Sequence, residues 1–351
     1  MSVVAVAMSG GVDSSAAAVL LGRQGYDLLG VTLRLHEHAG SEAADAARVA
    51  AQLGFAHHTF DLSGEFCRRV KDTFAAAYWQ GRTPNPCISC NRYIKFGALL
   101  ERALELGADK LATGHYARIE WDGGAGRHLL KTALHPEKDQ SYVLYCLTQH
   151  QLAHTLFPLG GLSKEEIRAL AAQSGLATAH KGDSQDICFI PDGDYAGFIC
   201  RHTGKTPVPG DFVAPDGRVL GRHEGVICYT LGQRRGIGVS SANGRLYVTD
   251  ICPTENKVTL SGPEDLMATT LEATDLNFIP FDKLDKPIRV QAKTRYRQPA
   301  QPAVAEQIGP DRLRVTFDAP QRAMTPGQAV VLYDGDVVLG GGTIDRVEVR
   351  S

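Results

Sequence analysis

Val3–Ala7, followed closely by S-G-G-V-D-S-S (Ser9–Ser15), decides how the chain must be read. The apolar run predicts a short strand, and the stretch from Ser14 to Leu21 predicts the first turns of a helix. Gly10 and Gly11 between them allow a tight turn that brings backbone N–H groups close to a ligand. A helix N-terminus with free N–H groups is a site for a multiply charged anion. The phosphate loop usually met in this position, G-x-x-x-x-G-K-[ST], carries a lysine. This loop has none, and its polar groups are Ser9, Asp13, Ser14 and Ser15. It is therefore expected to hold phosphate through amides and hydroxyls, with a metal ion, Mg2+, against Asp13.

The loop resembles the PP-loop of ATP pyrophosphatases, which split ATP into AMP and pyrophosphate to adenylate an oxygen. The rest of the chain bounds that reading. A length of 351 residues suits two or three domains, and a hydrophobic fraction of 43% is ample for packed cores. No apolar stretch reaches the length of a membrane span. The start, M-S-V-V-A-V-A-M-S-G, lacks the basic segment of a secretory signal, which predicts a cytoplasmic chain with no membrane partner. Its eight cysteines are then expected to be thiols, ligands or redox groups rather than structural bridges. A net charge of −2 gives no global sign of nucleic-acid binding, so any RNA surface must be local. Two local clusters exist: Lys286, Arg289, Lys293, Arg295 and Arg297 around Tyr296, and Arg222, His223, Arg234 and Arg235. They suit phosphate and base contacts, and a solvated strand face equally well.

The first half alternates in βαβ fashion, with strand candidates Val3–Ala7, Leu28–Leu33, His57–Phe60 and Lys110–Thr113. Helical periodicity runs through Ser41–Leu53, Phe66–Trp79 and Tyr93–Leu106. This predicts an α/β fold whose N-terminal domain, residues 1–200, is a doubly wound, mostly parallel, Rossmann-like sheet with its ligand at the strand C-termini. After about residue 200, Gly and Pro recur at short intervals, and short hairpin arms such as Arg245–Asp250 and Lys257–Leu260 appear. Residues 201–268 are read as a small central β-rich domain that contacts RNA. Residues 269–351 are read as a C-terminal β-barrel, built from Ile288–Lys293, Ala303–Gln307, Leu313–Phe317, Ala329–Tyr333 and Val337–Leu339.

T-P-N-P-C-I-S-C-N-R-Y-I-K-F (Thr83–Phe96) carries the second signal. Its prolines predict an extended loop holding Cys87 and Cys90, with a helix beginning just after Cys90. Proximity to that helix and to Arg92 and Lys95 is expected to favour thiolate. Cys188 follows the polar Asp183–Asp186 and opens an apolar strand. Cys67, Cys146, Cys200, Cys228 and Cys252 sit in apolar or amphipathic runs and read as core. A zinc knuckle at Cys87 and Cys90 lacks a second C-x-x-C, and His57–His58 are poor partners.

Seven motifs occur in order: S-G-G-V-D-S-S, T-P-N-P-C-I-S-C-N-R-Y-I-K-F, A-T-G-H-Y-A-R, K-D-Q-S-Y-V-L, D-S-Q-D-I-C-F-I, L-G-Q-R-R-G-I-G and T-P-G-Q-A-V-V-L-Y-D-G-D-V-V-L-G-G-G-T-I. Together, from about residue 3 to residue 346, they resemble the tRNA-specific 2-thiouridylase (MnmA, TrmU) family. The resemblance implies an enzyme, a tRNA-uridine 2-sulfurtransferase that modifies the wobble uridine (position 34) of tRNA. ATP would adenylate its 2-carbonyl oxygen, and a sulfur nucleophile would then displace AMP to leave 2-thiouridine.

By that resemblance Ala7, Met8, Ser9, Gly10, Gly11, Val12, Asp13 and Ser14 hold the ATP phosphates, Leu33 lies at the adenine, and Gly114 is a further nucleotide contact. Cys188 resembles the residue carrying the persulfide sulfur, and Cys90 its partner, ending in a Cys90–Cys188 disulfide. Asn85, Pro86 and Cys87, Lys138, Asp139 and Gln140, and Arg295 and Tyr296 match tRNA-contacting segments. His115 and Gln328 match single tRNA-contact positions, although His115 also reads as an ordinary hydrogen-bonded strand-end histidine.

One departure stands out: many members have Asp, commonly given an acid/base role, where this chain has Cys87. The alternative is that Cys87, Cys90 and Cys188 ligate three irons of a [4Fe–4S] cluster, leaving the fourth open for sulfide. Both routes stay open, as do the tRNAs served, the oligomeric state and the upstream sulfur donor, a persulfide relay protein or free sulfide. Two rival functions are another AMP-forming PP-loop ligase and a non-catalytic RNA-binding protein with an inert ATP site.

Overall fold

The computed structural model describes residues 2–36, 40–176, 187–241 and 244–349. Val3–Ala7 is strand β1, and the alternating pattern continues through β2 (Asp27–Arg34), β3 (His57–Asp61) and β4 (Lys110–Ala112). A hairpin of β5 (Ala117–Asp122) and β6 (Arg127–Thr132) precedes the short β7 (Thr155–Leu156). The order β3-β2-β1-β4-β7 is parallel throughout. Neighbours of β1 depart in opposite directions, so the loop after β1 opens where parallel sheets of this kind bind ligands.

Both faces of this sheet are covered, which is why β1 reads as a continuous apolar run. Val4 and Val6 face α1 (Val12–Arg23) and α2 (Gly40–Leu53), while Ala5 points into the opposite core. That second core holds two long helices, each with a π-helical stretch. Helix α3 spans 63–79 with π geometry at Cys67–Lys71, and α4 spans 86–105 with π geometry at Cys90–Leu99. Helix α5 (Lys164–Gln173) returns to the first face, and α6 (Tyr195–Thr203) leads toward the centre of the chain.

The central sheet, β8 (Gly210–Val213), β9 (Val219–His223), β10 (Tyr247–Cys252) and β11 (Lys257–Ser261), has the order β10-β11-β8-β9. Its Phe212, Val248, Val258 and Leu260 share one core with Phe74 and Tyr78 of α3 and Ile199 of α6. The remaining strands are β12 (Met267–Phe278), β13 (Ile288–Lys293), β14 (Gln301–Gly309), β15 (Arg312–Arg322), β16 (Ala329–Asp334) and β17 (Val337–Val349). They run in the order β12-β15-β14-β13-β16-β17, and β12 pairs again with β17 to close the barrel. The last strand does not end at Leu339, as the run of β-formers predicts, but passes through three glycines. The strand continues because a side chain at Gly340 would lie 2.1 Å from the Asn277 carbonyl, whereas hydrogen lets β17 pass.

The hairpin β5–β6 adds two strands outside the predicted βαβ alternation. It joins the outer edge of β17 through Lys131 opposite Val337, and Asp336 accepts from Arg118 at 2.7 Å. Apolar packing cements the same junction: Ile94, Phe96, Tyr142 and Tyr145 pack in one cluster with Ile279, Val331, Tyr333 and Val338 of the barrel. Tyr142 Oη donates to the Ala329 carbonyl at 2.9 Å, and Asn277 Nδ2 donates to the Tyr145 carbonyl at 2.7 Å.

Arg295 ties the barrel to the central domain. Its guanidinium donates to the Ala323 carbonyl and Thr325 Oγ1, both at 2.9 Å, and to the Leu231 carbonyl at 3.4 Å. Arg295→Ala removes a charge-assisted bond from each of these acceptors and is expected to lower stability by about 1.5–3 kcal/mol in urea unfolding. A loss below about 0.5 kcal/mol, the size of an ordinary surface change, would refute the bracing role.

Candidate active site

The loop after β1 is built from inside. Met8 N donates to the Val31 carbonyl at 2.8 Å, and Thr32 Oγ1 donates to the Met8 carbonyl at 2.7 Å, locking its entry to β2. Gly10 takes φ +68°, the turn that only glycine adopts freely. Gly11 is the N-cap of α1 and offers no side-chain acceptor, so no side chain caps the first-turn amides. The hydroxyls behave differently from expectation. Ser14 Oγ and Ser15 Oγ donate back to the Gly11 carbonyl at 3.1 and 2.9 Å, and Ser15 is fully buried. Phosphate would therefore meet amides first, with Ser9 and Ser14, joined at 3.4 Å between their oxygens, at the rim. Gly114 presses on this turn: a Cβ there would meet Ser14 N at 3.0 Å.

The cation missing from the loop comes from elsewhere in the chain. Lys164, buried at the start of α5, donates to both carboxylate oxygens of Asp13 at 2.8 and 3.0 Å. Tyr116 Oη adds a bond to Asp13 Oδ1 at 2.7 Å. Ser163 caps α5 through a capping box with Glu166, which fixes where Lys164 starts. Lys164 thus supplies a cation against Asp13, the place expected for Mg2+.

A cleft of about 1080 Å³ runs from this loop to the outer wall of β13. Ala7, Met8, Ser9, Gly11, Val12, Asp13 and Ser14 line one end with Leu33, Gly114 and Lys164. His115, Lys138, Asp139 and Gln140 line the middle, and Gln291, Lys293, Tyr296 and Arg297 the barrel side. Within the middle segment, Asp139 accepts from Ala133 N at 3.0 Å and Ser141 Oγ at 2.7 Å, and Gln140 Oε1 accepts from Tyr116 N at 3.0 Å. These two shape the loop that presents Lys138. His115 is buried among Phe96 and Phe157, and burial followed by the nearby Lys95 charge holds it well below the usual histidine range. Lys95 Nζ lies 3.4 Å from its Nε2; an ammonium only donates, so Nε2 accepts and Nδ1–H faces Thr113 Oγ1 at 2.7 Å.

The members of the basic cluster go to different places, although Arg289 and Lys293 share the outward face of β13. Lys293 and Arg297 face the cleft, Arg289 pairs with Asp318 at 2.6 Å outside, and Arg295 turns into the domain junction, off the cleft. In the other cluster, His223 is buried and Arg222 pairs with Asp211 at 3.1 Å. Gln328 also lies off the cleft, where its Nε2 donates to the Thr83 carbonyl at 2.7 Å. It bolts T-P-N-P to the barrel.

The thiols lie within electrostatic reach of one another and of Lys95 in the cleft wall. Asn85 Oδ1 accepts from Cys87 N at 3.1 Å and caps α4, with Pro86 in its first turn. Cys87 and Cys90 are thus helical, not in an extended loop. Asparagine followed by proline is the N-cap signature that would have shown this. The thiolate expectation is overturned at Cys90: burial pushes its thiol up to about 12, outweighing Lys95, with Cys188 and Cys87 raising it further. Cys87 touches solvent on one side, but protein packed around the other raises its thiol as well. Cys188 is exposed, and Asp183–Asp186 before it lie outside the described residues. Of the five cysteines expected in the core, Cys146 is buried, while Cys67, Cys200, Cys228 and Cys252 are half-buried.

Residues 2–192 match the family model of the tRNA methyl transferase HUP domain, 196–262 its PRC-barrel domain, and 268–344 the aminomethyltransferase beta-barrel domain. The chain is 50% identical to tRNA-specific 2-thiouridylase MnmA 2 of Thermoanaerobacter sp. (strain X514), over 98% of each chain. It is 45% identical to tRNA-specific 2-thiouridylase MnmA of Clostridioides difficile (strain 630), again over 98% of each. Among solved structures, the U34-tRNA thiolase NcsA from Methanococcus maripaludis with its [4Fe-4S] cluster aligns at 18% identity and TM-score 0.37. That alignment covers 57% of this chain and 68% of the other, a likeness too remote to carry inference.

Burial raises Cys90 to about 12 and Cys146 to about 11, against 9.0 for a free thiol. Between pH 9 and 12 the folded chain then binds protons that the unfolded chain has lost, so stability falls as pH rises. Urea midpoints at pH 8, 9.5 and 10.5 are expected to decline in that order, less steeply in Cys90→Ala. A flat profile would contradict the buried, protonated thiols.

Proposed function

The chain belongs to the tRNA-specific 2-thiouridylase (MnmA) family, and we propose that it replaces the 2-oxygen of the wobble uridine in tRNA by sulfur at the expense of ATP. The observation that carries this reading is the single cleft joining the amide-lined loop to the basic barrel wall, with the thiols beside it. ATP enters with its phosphates on the first-turn amides of α1 and its base toward Leu33. Lys164 supplies the cation there. Magnesium, if the nucleotide brings it, arrives on the phosphates.

The tRNA lies along Lys293, Tyr296 and Arg297, and the target base leaves its stack to enter the cleft. The 2-oxygen attacks the α-phosphorus, pyrophosphate leaves, and C2 now bears AMP as a leaving group. A persulfide on Cys188 attacks C2 with its outer sulfur, and the C2–O bond breaks to release AMP. Cys90 then attacks the inner sulfur of Cys188. The S–S bond of the persulfide breaks, the sulfur stays on C2, and a Cys90–Cys188 disulfide remains for a dithiol reductant to open. Cys90 must shed its proton for that step, and the Lys95 charge is the neighbour that favours the thiolate.

The three thiols also suit an iron–sulfur cluster held by Cys87, Cys90 and Cys188, which would bind sulfide in place of the persulfide. Cys87 stands where many relatives carry an acidic residue, and its raised thiol suits a proton donor more than a base. The family model speaks of methyl transfer, yet thiols and a phosphate loop are the equipment of sulfur transfer onto an adenylated carbonyl.

Cys188→Ala is expected to abolish 2-thiouridine while tRNA-dependent pyrophosphate release persists. Pyrophosphate release independent of tRNA would instead favour a different AMP-forming ligase, and its complete absence a passive RNA-binding protein. Lys164→Met is expected to raise the KM for ATP at least about tenfold through loss of a charge-assisted contact. Iron and absorbance measured after anaerobic purification separate the two sulfur routes: about three to four irons per chain select the cluster.

A further inference from the structure

Cys67, Asp72 and His202 lie outside the cleft and take no part in the reaction described. We propose that these three side chains form a binding site for a zinc-type cation at the junction of α3 and α6. Cys67 and Asp72 are five residues apart, a spacing that an ordinary α-helix turns through about 500° and so splits between faces. Here the helix is π-helical at Cys67–Lys71, and Asp72 N donates to the Cys67 carbonyl. Bonding from i to i+5 stacks one residue above the other. Cys67 Sγ therefore lies 3.9 Å from Asp72 Oδ1.

The third ligand comes from the last turn of α6. His202 Nε2 sits 2.6 Å from the same carboxylate oxygen, and its ring stacks on Phe198 at 5.3 Å and 11°. Among the described residues, these three ligand atoms lie within 4.8 Å of one another. A tetrahedral zinc spaces sulfur and oxygen ligands by about 3.5 Å and nitrogen and oxygen ligands by about 3.3 Å. The sulfur is already near its place, and the His–Asp hydrogen bond must open by roughly 0.7 Å to admit the ion. Thiolate, imidazole and carboxylate together select zinc or cobalt over magnesium or calcium, which prefer all-oxygen shells. Asp72 is exposed, so water or an exogenous ligand completes the fourth position. Binding releases the Cys67 proton.

The ion would fasten two walls of one aromatic pocket. Phe189, next to Cys188, packs on Phe66 at 5.7 Å and Phe74 at 5.5 Å from α3, and on Phe198 at 5.0 Å from α6. A bond between the helices at Cys67 and His202 holds that pocket to one width, and with it the start of the segment bearing Cys188.

Cobalt reports the site directly, because a thiolate–cobalt bond gives a near-ultraviolet charge-transfer band. The reduced full chain carrying Cys87→Ser, Cys90→Ser and Cys188→Ser is titrated with Co2+ under argon, which removes the active-site thiols from the signal. One equivalent is expected to develop the band, and Zn2+ to displace it. Adding Cys67→Ser should remove the band, and adding His202→Gln should weaken cobalt binding at least tenfold while circular dichroism stays unchanged. If Cys67→Ser fails to fold, His202→Gln alone decides through that affinity. Absence of a band in the starting variant, or a band that survives Cys67→Ser, overturns the site and leaves a plain Asp72–His202 hydrogen bond.

Discussion

One apolar cluster running from beneath the parallel sheet to the outer wall of the barrel holds the catalytic geometry together. Phe96 of α4 and Tyr142 belong to the same packed unit as Val331 and Tyr333 of the barrel. The cleft is the gap this packing leaves open, and its two sides are chemically unlike because they come from different folds. The sheet side offers amides at a helix N-terminus, which suit phosphate. The barrel side offers outward-facing residues of one strand, Gln291 and Lys293, with Tyr296 and Arg297 beyond it. Neither half alone presents both.

Electrostatics in this cleft are set by burial as much as by charge. Lys95 stands near Cys90, yet desolvation dominates and keeps the buried thiol protonated. The same physics holds His115 neutral, so it serves as an acceptor that orients the lysine. Asp13 forms an ion pair with Lys164 and accepts a bond from Tyr116. At its loop end the resting cleft therefore holds its charge as an ion pair, whereas the barrel wall is basic.

How much of this could be read from the residues depended on the range of the interaction. The strand, turn and helix around S-G-G-V-D-S-S are local events, and local patterns gave them almost to the residue. The barrel was legible as a class from its short β-runs, but β12 went unread and β17 runs well past Leu339. Lys164 was invisible for the opposite reason: it meets Asp13 across 151 residues of chain. The burial of Cys90 likewise depends on packing that no spacing reveals. Other misses had signals. Asn85-Pro86 marks a helix start, and W-D-G-G-A-G between Ile119 and Leu129 is the turn of a hairpin. Arg295 shows the limit of reading charge as function, since its cation braces two domains instead of meeting solvent.

The β5–β6 hairpin leaves the first domain, joins the barrel's edge and returns. Bonds from Arg118 and Lys131 to Asp336, and from Arg127 to the Ile279 carbonyl, reinforce that splice. The two walls of the cleft are therefore stitched into one piece of secondary structure and cannot swing apart like jaws on a linker. The width of the opening between them is thus set when the chain folds, not by a hinge.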